Sequence, residues 1–331
     1  MERIIEAFMD PGLYNHEVKD VKLLQTHISY VFLTGKYAYK IKKPVNFGFV
    51  DFSTLEKRKQ FCEKELAVNR RLCGKVYIKV LPVTDDNGKI AIDGGGKVVE
   101  YVLKMLELPQ ERIMSRMLEK GQVTEKHVRE IAKIVSGFHK SESIPEISKY
   151  GSVKAVKELW DENFRQTAEF VGTTIKEEKY AFIKNAIGRF IENNQQLFEK
   201  RIRNGKIKDC HGDLHAGNIF ISDKIYIFDA VEFNESFRCS DTLADIAFFL
   251  MELEFKGRKD LADAFLDEYA KIDEEEKKLL DFYKCYRAYV RGKVLSFKLN
   301  DKAVSEEGKK HSAEQAKKYF DSSCEYAKII S

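Results

Sequence analysis

The alternation of apolar and polar positions changes character about a third of the way along the chain. Residues 28–34, Ile-Ser-Tyr-Val-Phe-Leu-Thr, are β-branched and aromatic, and Tyr37-Ala38-Tyr39-Lys40-Ile41-Lys42 follows Gly35-Lys36. Two strands joined by a short glycine-containing turn are expected. In the second strand a period of two puts Tyr37, Tyr39 and Ile41 on one face and Ala38, Lys40 and Lys42 on the other, and Pro44 ends it. Ser53-Thr54-Leu55-Glu56 resembles a capping box opening a helix to about residue 73, with Phe61, Leu66 and Leu72 among its apolar positions. Two more strands, Val76–Val83 and Val98–Leu103, are set off by turns at Asp85-Asp86-Asn87-Gly88 and Gly94-Gly95-Gly96. Up to about residue 104 the order is β-β-α-β-β, a small α+β lobe.

From about residue 108 helical periodicity takes over. Helices are expected over 110–120, 124–140, 152–170, 175–203, 240–256, 259–270, 274–299 and 305–328. One β-like island interrupts them, Ile219–Ile221 and Ile225–Phe228 around Ser222-Asp223-Lys224. The expected architecture is α+β and two-lobed. It has a sheet lobe over 1–104, a hinge at 105–109 and a larger, mostly helical lobe over 110–331.

Composition narrows the partners. Fifty-seven basic against fifty-three acidic residues leave a net charge of +4 over 331 residues, too little for nucleic acid or an anionic membrane as main partner. The apolar stretch around 243–251 is broken by Asp245 and falls far short of the ~20 residues of a membrane span. The opening Met1-Glu2-Arg3-Ile4-Ile5-Glu6 has no secretory apolar region, so a soluble cytoplasmic protein is expected. The six cysteines are scattered without a C-x-x-C pair and read as reduced thiols. Charge is nonetheless uneven: residues 31–80 hold twelve Lys/Arg against four Asp/Glu, a local +8. So confined a field suits phosphate groups.

The sharpest feature is Cys210-His211-Gly212-Asp213-Leu214-His215-Ala216-Gly217-Asn218-Ile219-Phe220, followed by Ile227-Phe228-Asp229. His211, Asp213 and Asn218 keep the kinase spacing H-R-D-x-x-x-x-N with Gly in place of Arg, and Asp229 ends the expected hairpin. Phosphoryl transfer needs a carboxylate beside the attacking hydroxyl, plus hard oxygen ligands holding magnesium on the phosphates. Asp213, Asn218 and Asp229 supply that set. His211 and His215 are four apart, but Gly212 and Gly217 break the helix that an H-E-x-x-H metal pair requires, so His211 reads as a loop residue. Cys210 reads as a packed residue, with no activating base placed beside it.

The His211–Asn218 loop resembles that of the aminoglycoside phosphotransferase-like kinases. Thr26–Ser29, Tyr39–Pro44, Phe49–Glu56, Phe228–Asn234 and Tyr286–Arg291 look like a bacterial and archaeal branch of that family, often fused to a P-loop kinase domain. The resemblance spans roughly residues 15–300; no G-x-x-x-x-G-K-[ST] occurs, and nothing of the fused domain's activity is carried over. It implies a protein-kinase-like fold using ATP and Mg2+ on a hydroxyl of a small molecule, with Asp213 as base and Asn218 and Asp229 as metal ligands. It further implies Lys40 or Lys42 as the phosphate-gripping lysine, Glu65 as its helix partner, and Asp245 as a brace for the loop. The segment Glu100–Glu107, with Glu100, Val102 and Met105, resembles the strand and hinge whose backbone receives adenine. Two departures stand out: no G-x-G-x-x-G precedes the first strand, and Asp229-Ala230-Val231-Glu232 is one residue longer than the family's Asp-x-Glu, leaving Glu232 without a role.

A protein kinase is disfavoured, since no A-P-E-like segment or long activation loop lies between Asp229 and the helix near Asp241. A non-catalytic nucleotide-binding module has no need of all three of Asp213, Asn218 and Asp229. For the acceptor, residues 251–331 hold seventeen acidic and seventeen basic residues, so nothing there favours a polycation. Arg287 and Arg291, four apart and next to Tyr283, are candidate ligands for an acceptor carboxylate or phosphate, against the plainer reading of a solvated helix face.

Overall fold

A computed structural model describes residues 1–48, 50–140, 144, 146–302 and 304–331. Phe49, within the family-like stretch Phe49–Glu56, lies outside the described residues. In chain order the elements begin α1 (Glu2–Met9), β1 (Lys22–Gln25), β2 (Ser29–Leu33), β3 (Tyr37–Lys42), α2 (Leu55–Cys73), β4 (Tyr77–Asp86), β5 (Lys89–Ile92), β6 (Lys97–Leu106) and α3 (Met114–Glu119). They continue α4 (Glu125–His139), α5 (Val153–Thr167), α6 (Glu177–Asn193), α7 (Gln195–Arg203), β7 (Ile207–Asp209), β8 (Ile219–Ile221) and β9 (Ile225–Ile227). Last come α8 (Glu235–Arg238), β10 (Cys239–Asp241), α9 (Thr242–Phe255), α10 (Lys259–Tyr269), α11 (Glu274–Phe297) and α12 (Glu306–Ile329).

These elements form two compact units, Met1–Gly121 with Gly217–Arg238, and Gln122–Ala216 with Cys239–Ser331. The first is built on an antiparallel sheet in the order β1-β2-β3-β6-β4-β5. Period-two alternation divides β3 as the sequence predicts. Tyr39 and Ile41 pack with Phe8, Phe32, Val83 and Val102 on one face, while Ala38 joins Leu33, Tyr77, Leu103 and Met105 on the other.

The α2 helix opens at Thr54, whose Oγ1 accepts the Lys57 N–H at 3.3 Å. Its fully buried stripe is Arg58, Cys62, Glu65, Val68, Asn69 and Cys73, whereas Phe61, Leu66 and Leu72 are only half-buried. The helix turns its polar positions inward because the sheet offers buried charges that need partners. Arg58 pairs with Glu100 at 2.8 Å, and Glu65 takes two lysines.

Sequence periodicity missed α1, β1, β5, α8 and the β7–β10 pair, and it ran α6 and α7 together as one helix over 175–203. The edge strand β1 is almost wholly exposed, so no apolar alternation marks it. The break between α6 and α7 falls at Asn194, whose own side chain donates to the Phe190 carbonyl at 2.8 Å. In the second unit α9 is buried on every side from Thr242 to Leu253, which leaves the carboxylate of Asp245 with no water to solvate it. All six cysteines are buried free thiols. Among the described residues no helix is long and apolar enough to cross a membrane.

Candidate active site

The residues of the kinase-spaced loop fall in both units: Asp213 belongs to the second, Asn218 and Asp229 to the first. In the first unit, β3 presents Lys40 and Lys42 to Glu65 on α2, at 2.7 Å to Oε1 and 2.6 Å to Oε2. Each lysine then reaches one further carboxylate, Lys40 to Asp229 at 2.7 Å and Lys42 to Glu232. The Glu65 side chain is fully buried, Lys42 is 1% exposed, Lys40 13% and Asp229 42%. Burial opposes the ionisation of Glu65, yet the two ammonium groups bring its pKa down to about 2. Burial works against the lysines too, and their carboxylate neighbours more than reverse it, so both stay charged. Glu232 moves upward, through burial and the nearby Glu65, with Lys42 opposing. The extra residue between Asp229 and Glu232 therefore has a use: Glu232 closes the buried pairing around Lys42.

The hairpin β8–β9 fixes Asn218 relative to Asp229. Ile219 faces Ile227, and the Phe228 N–H donates to the Asn218 carbonyl at 3.0 Å, so Asn218 lies beside the residue that precedes Asp229. Asp229 has φ 63, a left-handed conformation uncommon for a residue with a side chain. Its N–H donates to the Tyr77 hydroxyl at 3.2 Å, and Asn69 accepts the Ala230 N–H at 2.8 Å. A carboxylate that is partly exposed and a neighbouring carboxamide are hard oxygen donors of the kind magnesium takes, so these residues fit that ion.

Val102 and Met105 lie within β6 between β3 and β4, and Glu100 pairs with Val83 of β4, so their backbones are tied into the sheet. The Glu100 carboxylate is taken by Arg58 and by the Tyr101 N–H. Beside Lys40 the sheet offers an apolar floor of Ala38, Leu103 and Met105, with Leu108, Tyr226 and Phe228 packed against it.

In the second unit Asp245 holds the loop. Its Oδ2 accepts the His211 N–H at 3.1 Å, its Oδ1 the Gly212 N–H at 2.8 Å, and His139 Nε2 lies 3.0 Å from Oδ2. Burial resists its ionisation, but the His139 hydrogen bond and the charges of His211 and Arg287 bring its pKa to about 2. Gly212 adopts φ 83, which a side chain would strain. From α11, Arg287 donates Nη1 to the Gly212 carbonyl at 3.1 Å and Nε to the Ala244 carbonyl at 3.2 Å. Glu252 accepts the Ala216 N–H at 2.6 Å. The loop is thus gripped from α9 and α11, with His139 of α4 bracing Asp245.

The Asp213 side chain is 41% exposed, with His215 Nε2 at 3.5 Å. Burial would raise its pKa, but His215 above all, then His211 and Arg287, hold it below the ordinary carboxylate range. His215 is shifted upward: burial depresses it and Asp213 more than compensates. Its ring packs on Phe248 at 5.1 Å. His215, Asn69, Tyr77 and Glu252 were not singled out as site residues from the sequence, and only His215, inside the loop, carried a signal there. Tyr283 is 6% exposed and packed on Phe282. Cys210 is fully buried, and burial pushes its thiol well up, so it is no nucleophile.

No protein-family model matches the chain. Two uncharacterized mycobacterial proteins, Rv2004c of Mycobacterium tuberculosis and Mb2027c of Mycobacterium bovis, are each 34% identical over 286 residues, covering 84% of this chain. The matched region spans 56% of each relative's length. A choline/ethanolamine kinase family protein from Mesorhizobium loti superposes with a TM-score of 0.57 at 13% identity, covering 99% of both chains. A spectinomycin phosphotransferase in complex with ADP and spectinomycin gives 0.54 at 15%, covering 99% of this chain and 98% of its own. Choline kinase LicA from Streptococcus pneumoniae gives 0.53 at 17%, covering 97% of this chain and 99% of its own. The chain has the protein-kinase-like, mixed α+β fold that these choline kinase and spectinomycin phosphotransferase structures share.

Proposed function

We propose that the chain is a small-molecule kinase of the aminoglycoside phosphotransferase-like family, moving the γ-phosphate of ATP to an acceptor hydroxyl with Mg2+. The observation that carries this is the ion-pair chain Glu65–Lys40–Asp229, which sets an ammonium beside a partly exposed carboxylate at the end of a hairpin. Lys40, the more exposed lysine, is the one to grip phosphate, and Lys42 is a buried structural cation. The apolar floor of Ala38 and Met105 suits a purine. The backbone that would read the purine's edge follows β6, from the Glu107 carbonyl onward, because the β6 backbone and the Glu107 N–H are spent on the sheet and on Lys36. The relatives with ADP or choline in their names support nucleotide use and a small hydroxyl acceptor.

Asn218 and Asp229 would hold the metal, which supplies charge neutralisation on the phosphates. In the transfer, the acceptor oxygen bonds to the γ-phosphorus and the bond to the β–γ bridging oxygen breaks. That oxygen leaves with ADP, and the hydroxyl proton passes to Asp213. The low pKa of Asp213 makes it an orienting acceptor rather than a strong base, sufficient because a loose transition state asks for little early deprotonation. A small acceptor is favoured over a protein, since only the short α8 and β10 lie between Asp229 and α9.

The test is the thermal midpoint with ATP, with and without Mg2+, followed by ADP release against a panel of hydroxyl metabolites. Magnesium-dependent stabilisation and acceptor-dependent ADP are expected. A midpoint that ignores Mg-ATP would remove the proposal.

A further inference from the structure

Near the loop that carries Asp213, the second unit holds a guanidinium that makes no ion pair among the described residues, although the Glu252 carboxylate shares His215 and Tyr319 with it as neighbours. Arg287 and Arg291 lie one turn apart on α11 but are differently employed. Arg287 is committed to the carbonyls of Gly212 and Ala244 and acts as a positioning residue for the loop. Arg291 instead lies with its guanidinium carbon 5.8 Å from the Phe248 ring centroid and 5.7 Å from that of Tyr319. Among the described residues it makes no ion pair, and Glu252 spends Oε2 on the Ala216 N–H.

The path from Arg291 to Asp213 runs through direct neighbours. Phe248, which carries Arg291, packs at 5.1 Å on the His215 ring, and His215 Nε2 is 3.5 Å from Asp213 Oδ2. The charge of Arg291 is felt at the imidazole, pushing its pKa down against the pull of Asp213. The Phe248 and Tyr319 rings flank the guanidinium and the Tyr319 hydroxyl engages one of its N–H groups, while the planar fork has further donors of the kind a carboxylate or phosphate takes. A half-buried cation without a counter-ion is costly, and an anionic ligand relieves that cost. A cationic amino alcohol there would be repelled instead.

We propose that Arg291 recognises an anionic group on the acceptor, so that the substrate is a hydroxy acid or a polyol phosphate. The proposal rests on the kinase reading, with Asp213 facing the acceptor hydroxyl. In the overall transfer, R–OH and ATP give R–O–PO3, ADP and a proton, and the anionic group is bound but unchanged.

The experiment measures ADP release with Mg-ATP for glycerol, glycerate, glycerol 3-phosphate, choline and ethanolamine. Wild type, Arg291→Gln and Arg291→Lys are compared after their melting temperatures show that each is folded. The expected result is preference for glycerate or glycerol 3-phosphate, which also tells carboxylate from phosphate. Arg291→Gln raises the acceptor KM about 10- to 100-fold, the range for a hydrogen bond to a charged group, with the KM of ATP unmoved and partial rescue in Arg291→Lys. Preference for glycerol, choline or ethanolamine overturns the proposal, as does an unchanged acceptor KM in Arg291→Gln. If none of the five turns over, calorimetric titration of the two anions and glycerol into the Mg-ADP-bound wild type decides, and equal binding of all three overturns it. Loss of the magnesium-dependent nucleotide response is the separate result that sinks the kinase reading itself.

Discussion

Asn69 grips Ala230 by both of its backbone groups, Oδ1 accepting the N–H at 2.8 Å and Nδ2 donating to the carbonyl at 3.5 Å. The same Nδ2 donates to the Glu65 carbonyl one turn earlier in α2. This clasp sits next to the left-handed Asp229, whose conformation costs roughly 1–2 kcal/mol and persists only where its neighbours hold it. Asn69→Ala should cost about 1–3 kcal/mol by leaving buried backbone groups unpaired, and should weaken Mg-ATP binding. Urea unfolding and calorimetry check the two effects; native values in both would show that the clasp does not set Asp229.

The two lysines of β3 should separate function from stability. Lys42→Ala strands Glu232 in the interior and leaves Glu65 with Lys40 alone, and should cost about 3–5 kcal/mol. Lys40→Ala should leave a folded protein whose kcat/KM for ATP falls by about 100-fold or more. Denaturation midpoints and steady-state kinetics of the two variants, run side by side, would expose a reversal of these roles.

Asp213→Asn should lower kcat by about 100-fold or more while the Kd for Mg-ATP and the melting temperature stay near wild type. Because His215 holds the Asp213 carboxylate below its usual range, the pH–rate profile should show no acid limb from Asp213 above about pH 4. Wild-type turnover in the variant would take Asp213 out of its role.

Glu65 ties stability to acid. Its pKa in the folded chain is about 2, against 4.5 for a free glutamate, so its contribution is complete above pH 4.5 and is lost as pH falls toward 2. The stability gap between wild type and Glu65→Gln should be widest near neutral pH and narrow below pH 4.5. Urea midpoints at a series of pH values measure it, and a gap that widens on acidification would reverse the sign.

The parts legible in sequence were those written in one stretch. The faces of β3 follow from a period of two alone, and the spacing of His211, Asp213 and Asn218 needs no third dimension. The pairing of Lys40 with Glu65 came only through family resemblance, since nothing in either residue's surroundings marks its partner. Glu232 stayed without a role because Lys42 lies 190 positions away. The inner face of α2 was misread because apolar periodicity assumes that a buried stripe is apolar. Here it includes Arg58, Glu65 and Asn69, whose burial is intelligible only once Glu100, the β3 lysines and Ala230 are in place. Arg287 and Arg291 look alike along the chain; only the carbonyls of Gly212 and Ala244 tell them apart.

The doubled engagement of Glu65 has an evolutionary corollary. A carboxylate with a single ammonium partner makes that lysine indispensable to folding, so any drift at the position is purged as misfolded protein. With Lys42 still in place, a chain that loses Lys40 keeps an ammonium beside Glu65. An inactive descendant is therefore one substitution away and arrives already folded. On the proposed kinase reading, this architecture leaves a short, viable path from turnover to silent scaffold.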